Sequence, residues 1–548
     1  MIRSISTVTT ALLLAGCAAA PMSVAPSADA APPVAAAVTR GAVETPGIEV
    51  LSIAELSAAM ARGDTTSEAI TAGYLARIAA IDDAGPTLNA VIATMPDALD
   101  QARARDAERA AGQVRGPLHG IPILIKDNIE AAGPVPTTAG SLALVDNVTD
   151  RDAPMIARLK AAGAIILGET NLSEWANIRS GKSTSGWSAV GGLTRNPHVL
   201  DRNTCGSSAG SGAAMAAGLA AGTIGTETDG SITCPSGVNG VVGFKPTVGL
   251  VSRTHIVPIS HSQDTAGPMT GSVRDAAMML TAMAGSDPAD PATADADAHR
   301  ADFAAALDDE WLAGKRIGLM TDQYGTDPAI RAVVNDAIAI FEARGAEVVR
   351  IDDSEAGTEE LGDAELEVLM VELKADLNAY LATLPASVAT RTLSDVIAFN
   401  AAHGDSELRY FGQELFELAQ GKPGLDDAGY RAAREKSLRI AGRDGIDRLL
   451  ATHKVDVLVG VTNGPAWLSD LADGDKFSGP SASALPAVAG YPHLTVPGGS
   501  AGGLPIGISF IAGKWEDAKV LSAGYAFEQA RPRRITPGYL ATLPPRPE

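Results

Sequence analysis

Cys205-Gly206-Ser207-Ser208-Ala209-Gly210-Ser211-Gly212 opens a run of small residues that continues to Ala221. Such a run predicts a helix over 208–221 lying close against a sheet, with its N-terminus at Ser207–Ser208. A helix start carries a partial positive charge, so any chemistry there meets a favourable field for anions. A second serine, Ser231, follows 24 positions after Ser207 in the turn Thr226-Glu227-Thr228-Asp229-Gly230-Ser231-Ile232. Upstream, Ile121-Pro122-Ile123-Leu124-Ile125 reads as a buried strand, and it ends in Lys126.

On either side of these motifs, short apolar runs alternate with helical periods. Leu56, Ala59, Met60, Ala69, Ile70, Tyr74, Leu75 and Ile78 predict two or three amphipathic helices between Ser52 and Arg109. A helix over 153–161 precedes a strand at 164–167, and 455–460 and 507–513 read as further strands. This alternation implies an α/β fold, a central mixed β-sheet covered by helices. Residues 285–455 differ in character. Between Asp352 and Asp376 there are ten acidic residues and one basic residue, and Leu366, Leu369, Met370, Leu373, Leu377, Tyr380 and Leu381 form a helical stripe. We expect a helical insertion over about 285–455, with its charge as a solvated face.

The ends and the composition set the class. Residues 1–17 have one basic residue, Arg3, then an apolar stretch ending Leu14-Ala15-Gly16-Cys17. That layout predicts a secretory signal of lipoprotein type, with Cys17 lipidated as the protein's only link to a membrane. The expected location is therefore periplasmic or outer-membrane-anchored. Residues 18–47 are mostly Ala, Pro, Val and Ser and read as a tether, leaving 48–548 as the folded domain. A formal net charge of −22 argues against a nucleic-acid partner. Cys205 and Cys234 flank the two serines, and both a disulfide and two buried thiols fit the sequence.

Together, the Gly-rich serine run, the Asp-Gly-Ser-Ile turn and the strand-end lysine resemble the amidase signature family. Gln263-Asp264-Thr265-Ala266-Gly267-Pro268-Met269 adds to the match, and these motifs are most similar to those of bacterial peptide amidases. The resemblance implies a Ser-Ser-Lys hydrolase of the amidase signature fold. Lys126 would be the base, Ser207 the relay on a cis peptide bond, and Ser231 the nucleophile. The backbone N–H groups of Thr228, Asp229, Gly230 and Ser231 would form the oxyanion hole. Substrates would be peptide C-terminal amides or small amides, with aryl acylamides or carbamates as the alternative, and no cofactor or metal would be needed. The implied assembly is a monomer or homodimer. The sequence departs from the commoner family pattern at Asp229, where a glycine is usual, and at Thr233, where an arginine is usual.

Other readings compete. An amidotransferase component would share this core, and a binding protein could retain the fold without turnover. Gly206-Ser207-Ser208-Ala209-Gly210 also satisfies the nucleophile elbow of α/β-hydrolases, which requires a preceding strand and a partner such as His255, His403 or His493. Gly181-Lys182-Ser183-Thr184 resembles a phosphate loop, yet Ala176 stands where that motif needs glycine.

Overall fold

Among the residues that the computed structural model describes, 47–531 and 535–544, eleven strands pair into one mixed sheet. In chain order the strands are β1 (Val91–Thr94), β2 (Pro122–Lys126), β3 (Ile165–Thr170), β4 (Trp187–Ser188), β5 (Gly192–Leu193), β6 (Gly222–Glu227) and β7 (Val242–Lys245). They continue with β8 (Thr265–Thr270), β9 (Arg316–Met320), β10 (Glu347–Ile351), β11 (Val457–Val461), β12 (His493–Ala501) and β13 (Leu504–Ile511). Only β4 and β5 stand apart, as a small hairpin. The sheet runs β1-β3-β2-β6-β8-β7-β12-β13-β11-β9-β10. Strands β3, β2 and β6 are mutually parallel, as are β11, β9 and β10, while antiparallel pairs join the two groups.

Every residue of β2, β3 and β6 is buried, because helices cover both faces of the sheet. That is why β2 and the first half of β3 read as continuous apolar runs instead of alternating ones. The Ala/Gly-rich run forms the helix Ala209–Ala217, buried along its whole length. Glycine is required at Gly210: a Cβ there would stand 2.3 Å from the Ala90 carbonyl oxygen and 2.6 Å from the Asn171 nitrogen. The helix therefore packs backbone against backbone, as the small residues predict.

The expected helices over 52–109 are found at Ile53–Arg62, Ser67–Arg77 and Ala98–Ala110, with β1 inserted before the third. Residues 285–455 depart from the expected insertion. They hold β9 and β10, two strands of the main sheet, so the stretch without sheet strands begins after Ile351. Its long helix, Leu361–Ala382, buries Met370, Leu373, Leu377, Tyr380 and Leu381 against Ala139, Leu144, Trp175 and Val257. Leu366 from the expected stripe is instead 42% exposed, and Glu372 from the expected solvated face is fully buried. The expected signal segment 1–17 and all of the expected tether 18–47 except Gly47 lie outside the described residues.

Candidate active site

Parallel strands β2 and β6 end side by side, and this brings the lysine to the serine loops. Lys126 is fully buried at the end of β2. Its Nζ lies 2.8 Å from Ser207 Oγ, 2.8 Å from Thr226 Oγ1 and 3.3 Å from the Thr226 carbonyl oxygen. Asn128 Nδ2 donates to the same Thr226 hydroxyl at 3.0 Å. Burial pulls the lysine pKa down to about 7, although the carboxylates of Asp264 and Glu227 act in the opposite direction. An ammonium group removed from water loses hydration that three oxygen contacts only partly replace.

Ser207 is fully buried and follows a cis Gly206–Ser207 peptide bond. Its carbonyl accepts from Ser173 N–H at 3.0 Å. Ser208 ties the two serine segments together, since its N–H donates to the Ser231 carbonyl at 3.1 Å. Its hydroxyl donates to the Thr226 carbonyl at 3.1 Å and accepts from the Thr226 N–H at 3.2 Å. Cys205 and Cys234 are joined as a disulfide with an S–S distance of 2.06 Å, one of the two states that the sequence leaves open. The bond adds a covalent tie between the same two segments.

Ser231 is 8% exposed. The turn before it needs Gly230, whose φ of 75° lies in the left-handed region that favours glycine. Glu227 wraps the turn from behind: its Oε2 accepts the N–H groups of Ile232 at 2.7 Å and Thr233 at 2.9 Å. Thr228 is fixed through its side chain, donating to Asp264 Oδ1 at 2.6 Å. Burial pushes the Asp229 carboxyl up from its ordinary value, with the nearby Ser483 hydroxyl acting in the opposite direction. A cavity of about 380 Å³ adjoins these groups and is lined by Asn128, Thr226, Thr228, Asp264, His261 and Tyr380, among others.

The structure thus brings together Lys126 and Ser207 directly, and Ser231 with them through Ser208 and Thr226. The elbow alternative lacks the strand that it requires. Ser208 begins a helix, but no strand immediately precedes it among the described residues. His493 is buried on β12, where its Nε2 lies 2.6 Å from Ser509 Oγ and burial lowers its pKa to about 3. His403 Nδ1 pairs with the Phe399 carbonyl at 2.9 Å. Thr226 and Asn128, both in contact around Lys126, escaped the sequence reading. A threonine five residues before the proposed nucleophile carries no signal until strand pairing places it against the lysine.

The chain matches the family model described as Amidase over residues 69–521. The chain belongs to the amidase family. A protein of Arabidopsis thaliana named "Probable amidase" is 37% identical over 501 residues, covering 90% of this chain and 92% of its own. A glutamyl-tRNA(Gln) amidotransferase component from Moorella thermoacetica is 36% identical, covering 88% of this amidase and 96% of its own length. Among solved structures, native peptide amidase from Stenotrophomonas maltophilia superposes with a TM-score of 0.84 at 48% identity, covering 89% of this chain and 98% of its own. The fold is the mixed α/β sheet flanked by helices that these neighbours share, and the chain is an amide-hydrolysing enzyme of this family.

The expected location is corrected by the same findings. Amidase relatives come from a plant and from fungi, so the family's chemistry is not tied to bacterial export. No helix among the described residues is long and apolar enough to cross a membrane. The reading of a periplasmic or outer-membrane-anchored lipoprotein is withdrawn.

Proposed function

We propose that this amidase hydrolyses peptide C-terminal amides or related small amides through Lys126, Ser207 and Ser231. The observation that carries the proposal is a buried lysine, held near neutrality, 2.8 Å from a buried serine hydroxyl. Neutral Lys126 Nζ takes the proton of Ser207 Oγ, which takes that of Ser231 Oγ as the latter attacks the carbonyl carbon. The tetrahedral oxyanion is received by the N–H groups of Thr228, Asp229, Gly230 and Ser231, the contribution that usually dominates acyl transfer. Collapse breaks the C–N bond. The proton stored on Lys126 returns through Ser207 to the leaving nitrogen, which departs as ammonia or an amine. Water then attacks the acyl-Ser231 ester while giving its proton to Lys126 by the same relay, and the proton finally restores the Ser231 hydroxyl.

The likeness to peptide amidase structures at 48–49% identity over nearly their whole length supports peptide amides as the substrate class. Amidotransferase components are also similar to this chain, so the isolated protein should be assayed on a simple dipeptide amide. The deciding experiment treats the folded chain with a fluorophosphonate and maps the adduct. A single adduct on Ser231, lost in Lys126→Ala along with turnover, is expected. An adduct on Ser208, or full turnover by Lys126→Ala at neutral pH, would overturn the relay.

A further inference from the structure

We propose that the loop 259–264 is a positioning strap for the oxyanion loop, holding Thr228 at one end and latched to the helix Leu361–Ala382 at the other. The inference rests on the mechanism above, because it concerns one of the same N–H donors. Thr228 is gripped twice: its hydroxyl donates to Asp264 Oδ1 at 2.6 Å, and its carbonyl accepts from Gln263 Nε2 at 3.4 Å. The other Asp264 oxygen accepts the N–H groups of Ile259 at 2.8 Å and Ser260 at 2.9 Å, so the carboxylate also fixes the shape of its own loop.

The far end is held as firmly. Gln263 Nε2 also donates to Glu365 Oε1 at 2.8 Å. His261 N–H donates to Asp376 Oδ2 at 2.8 Å, and the imidazole places Nδ1 2.9 Å from Asp376 and Nε2 3.3 Å from Glu372. Ser262 Oγ donates to Glu372 Oε1 at 2.6 Å, while Tyr430 Oη donates to the same buried oxygen at 2.6 Å. Each of these bonds runs from the loop or its partners to the helix, and both bonds at the near end go to Thr228. A shift of the loop must therefore carry Thr228 with it.

Hydrogen bonds weaken steeply as their angle and distance degrade, so an oxyanion donor is useful only where it is held still. Removing a whole donor typically costs about 100- to 1000-fold in rate, and loosening one costs less, on the order of tenfold. Thr228, Asp264, His261 and Asp376 all line the 380 Å³ cavity, so the strap is also a wall of the space next to the reaction centre. Asp264, Gln263 and His261 act through Thr228 and are positioning residues, whereas the Thr228 N–H itself is the group that meets the substrate.

Thr228→Val and Thr228→Ser separate this role from simple folding, because both keep the backbone N–H and only the serine keeps the hydroxyl. Asp264 also acts electrostatically on Lys126, so its own variants are less clean. With a dipeptide amide as substrate, Thr228→Val should lower kcat about tenfold with KM within about twofold, and Thr228→Ser should restore it. The rate of Ser231 labelling by phenylmethanesulfonyl fluoride, whose sulfonyl oxygen enters the same hole, should fall in parallel. His261→Leu should slow that labelling several-fold. Wild-type kcat and labelling rate in Thr228→Val would overturn the strap, as would a loss that Thr228→Ser shares. An unlabelled, inactive wild-type chain would instead overturn the amidase mechanism, and the strap with it.

Discussion

In the proposed relay Lys126 is the base, and its burial has two consequences of defined sign. As a base it must be neutral, so kcat/KM should rise with pH through about 7 and level off above it. The folded lysine loses its proton near 7, whereas an unfolded lysine keeps it to about 10.5, so unfolding takes up a proton between those values. Lys126 therefore destabilises the fold fully below about 7, and that penalty fades as pH rises toward 10.5. Urea unfolding of wild type and Lys126→Met across pH 6–10 checks this. The variant should be the more stable at pH 6, and the gap should narrow as pH rises. A constant gap would mean that the lysine is charged in the folded protein throughout.

Elements show where the sequence could be read and where it could not. The lysine and both serines were legible because each sits in a contiguous motif: a strand end, a Gly-rich run and a tight turn. The strap was not, since Thr228 meets Asp264 across 36 positions and His261 meets Asp376 across 115. Nothing in a local window distinguishes those carboxylates from solvated ones. Glu372 illustrates the same point, because an acidic residue in an acidic helix reads as surface until Ser262 and Tyr430 are seen around it. The small-residue helix was the reverse case, where composition alone carried the packing. Gly210→Ala, harmless in an isolated helix, should here force the helix away from Ala90 and Asn171. We expect a loss of about 2–3 kcal/mol in urea unfolding, the usual scale for an overpacked core. A wild-type midpoint would mean that the helix can move aside at little cost.

For the molecule as a whole, the α/β class followed from the alternation of apolar runs and helical periods, but the strand order did not. Strands β9 and β10 were hidden in the expected helical insertion. Each is five residues long, and β10 carries exposed Glu347 and Arg350, which disguises its place at the sheet margin. They join the sheet only through β11, and β11 joins only through β13. A chain ending before Val457 therefore has no strand to connect the two parallel groups, leaving the edges of β7 and β9 unpaired. Expressed alone, residues 48–456 should be recovered in aggregates, whereas 48–548 should be soluble; sedimentation of the two lysates checks it.

The same ordering sets a timetable on the ribosome. The strand that carries Lys126 and the turn that carries Ser231 emerge early, yet the sheet beneath them stays in two halves until β12 and β13 have been synthesised. Since β12 is the strand that slots beside β7, the last tenth of the polypeptide closes the gap between the halves. The nascent enzyme would spend most of its elongation with open strand edges near its proposed catalytic residues, and premature release at that stage would yield sticky, incomplete chains.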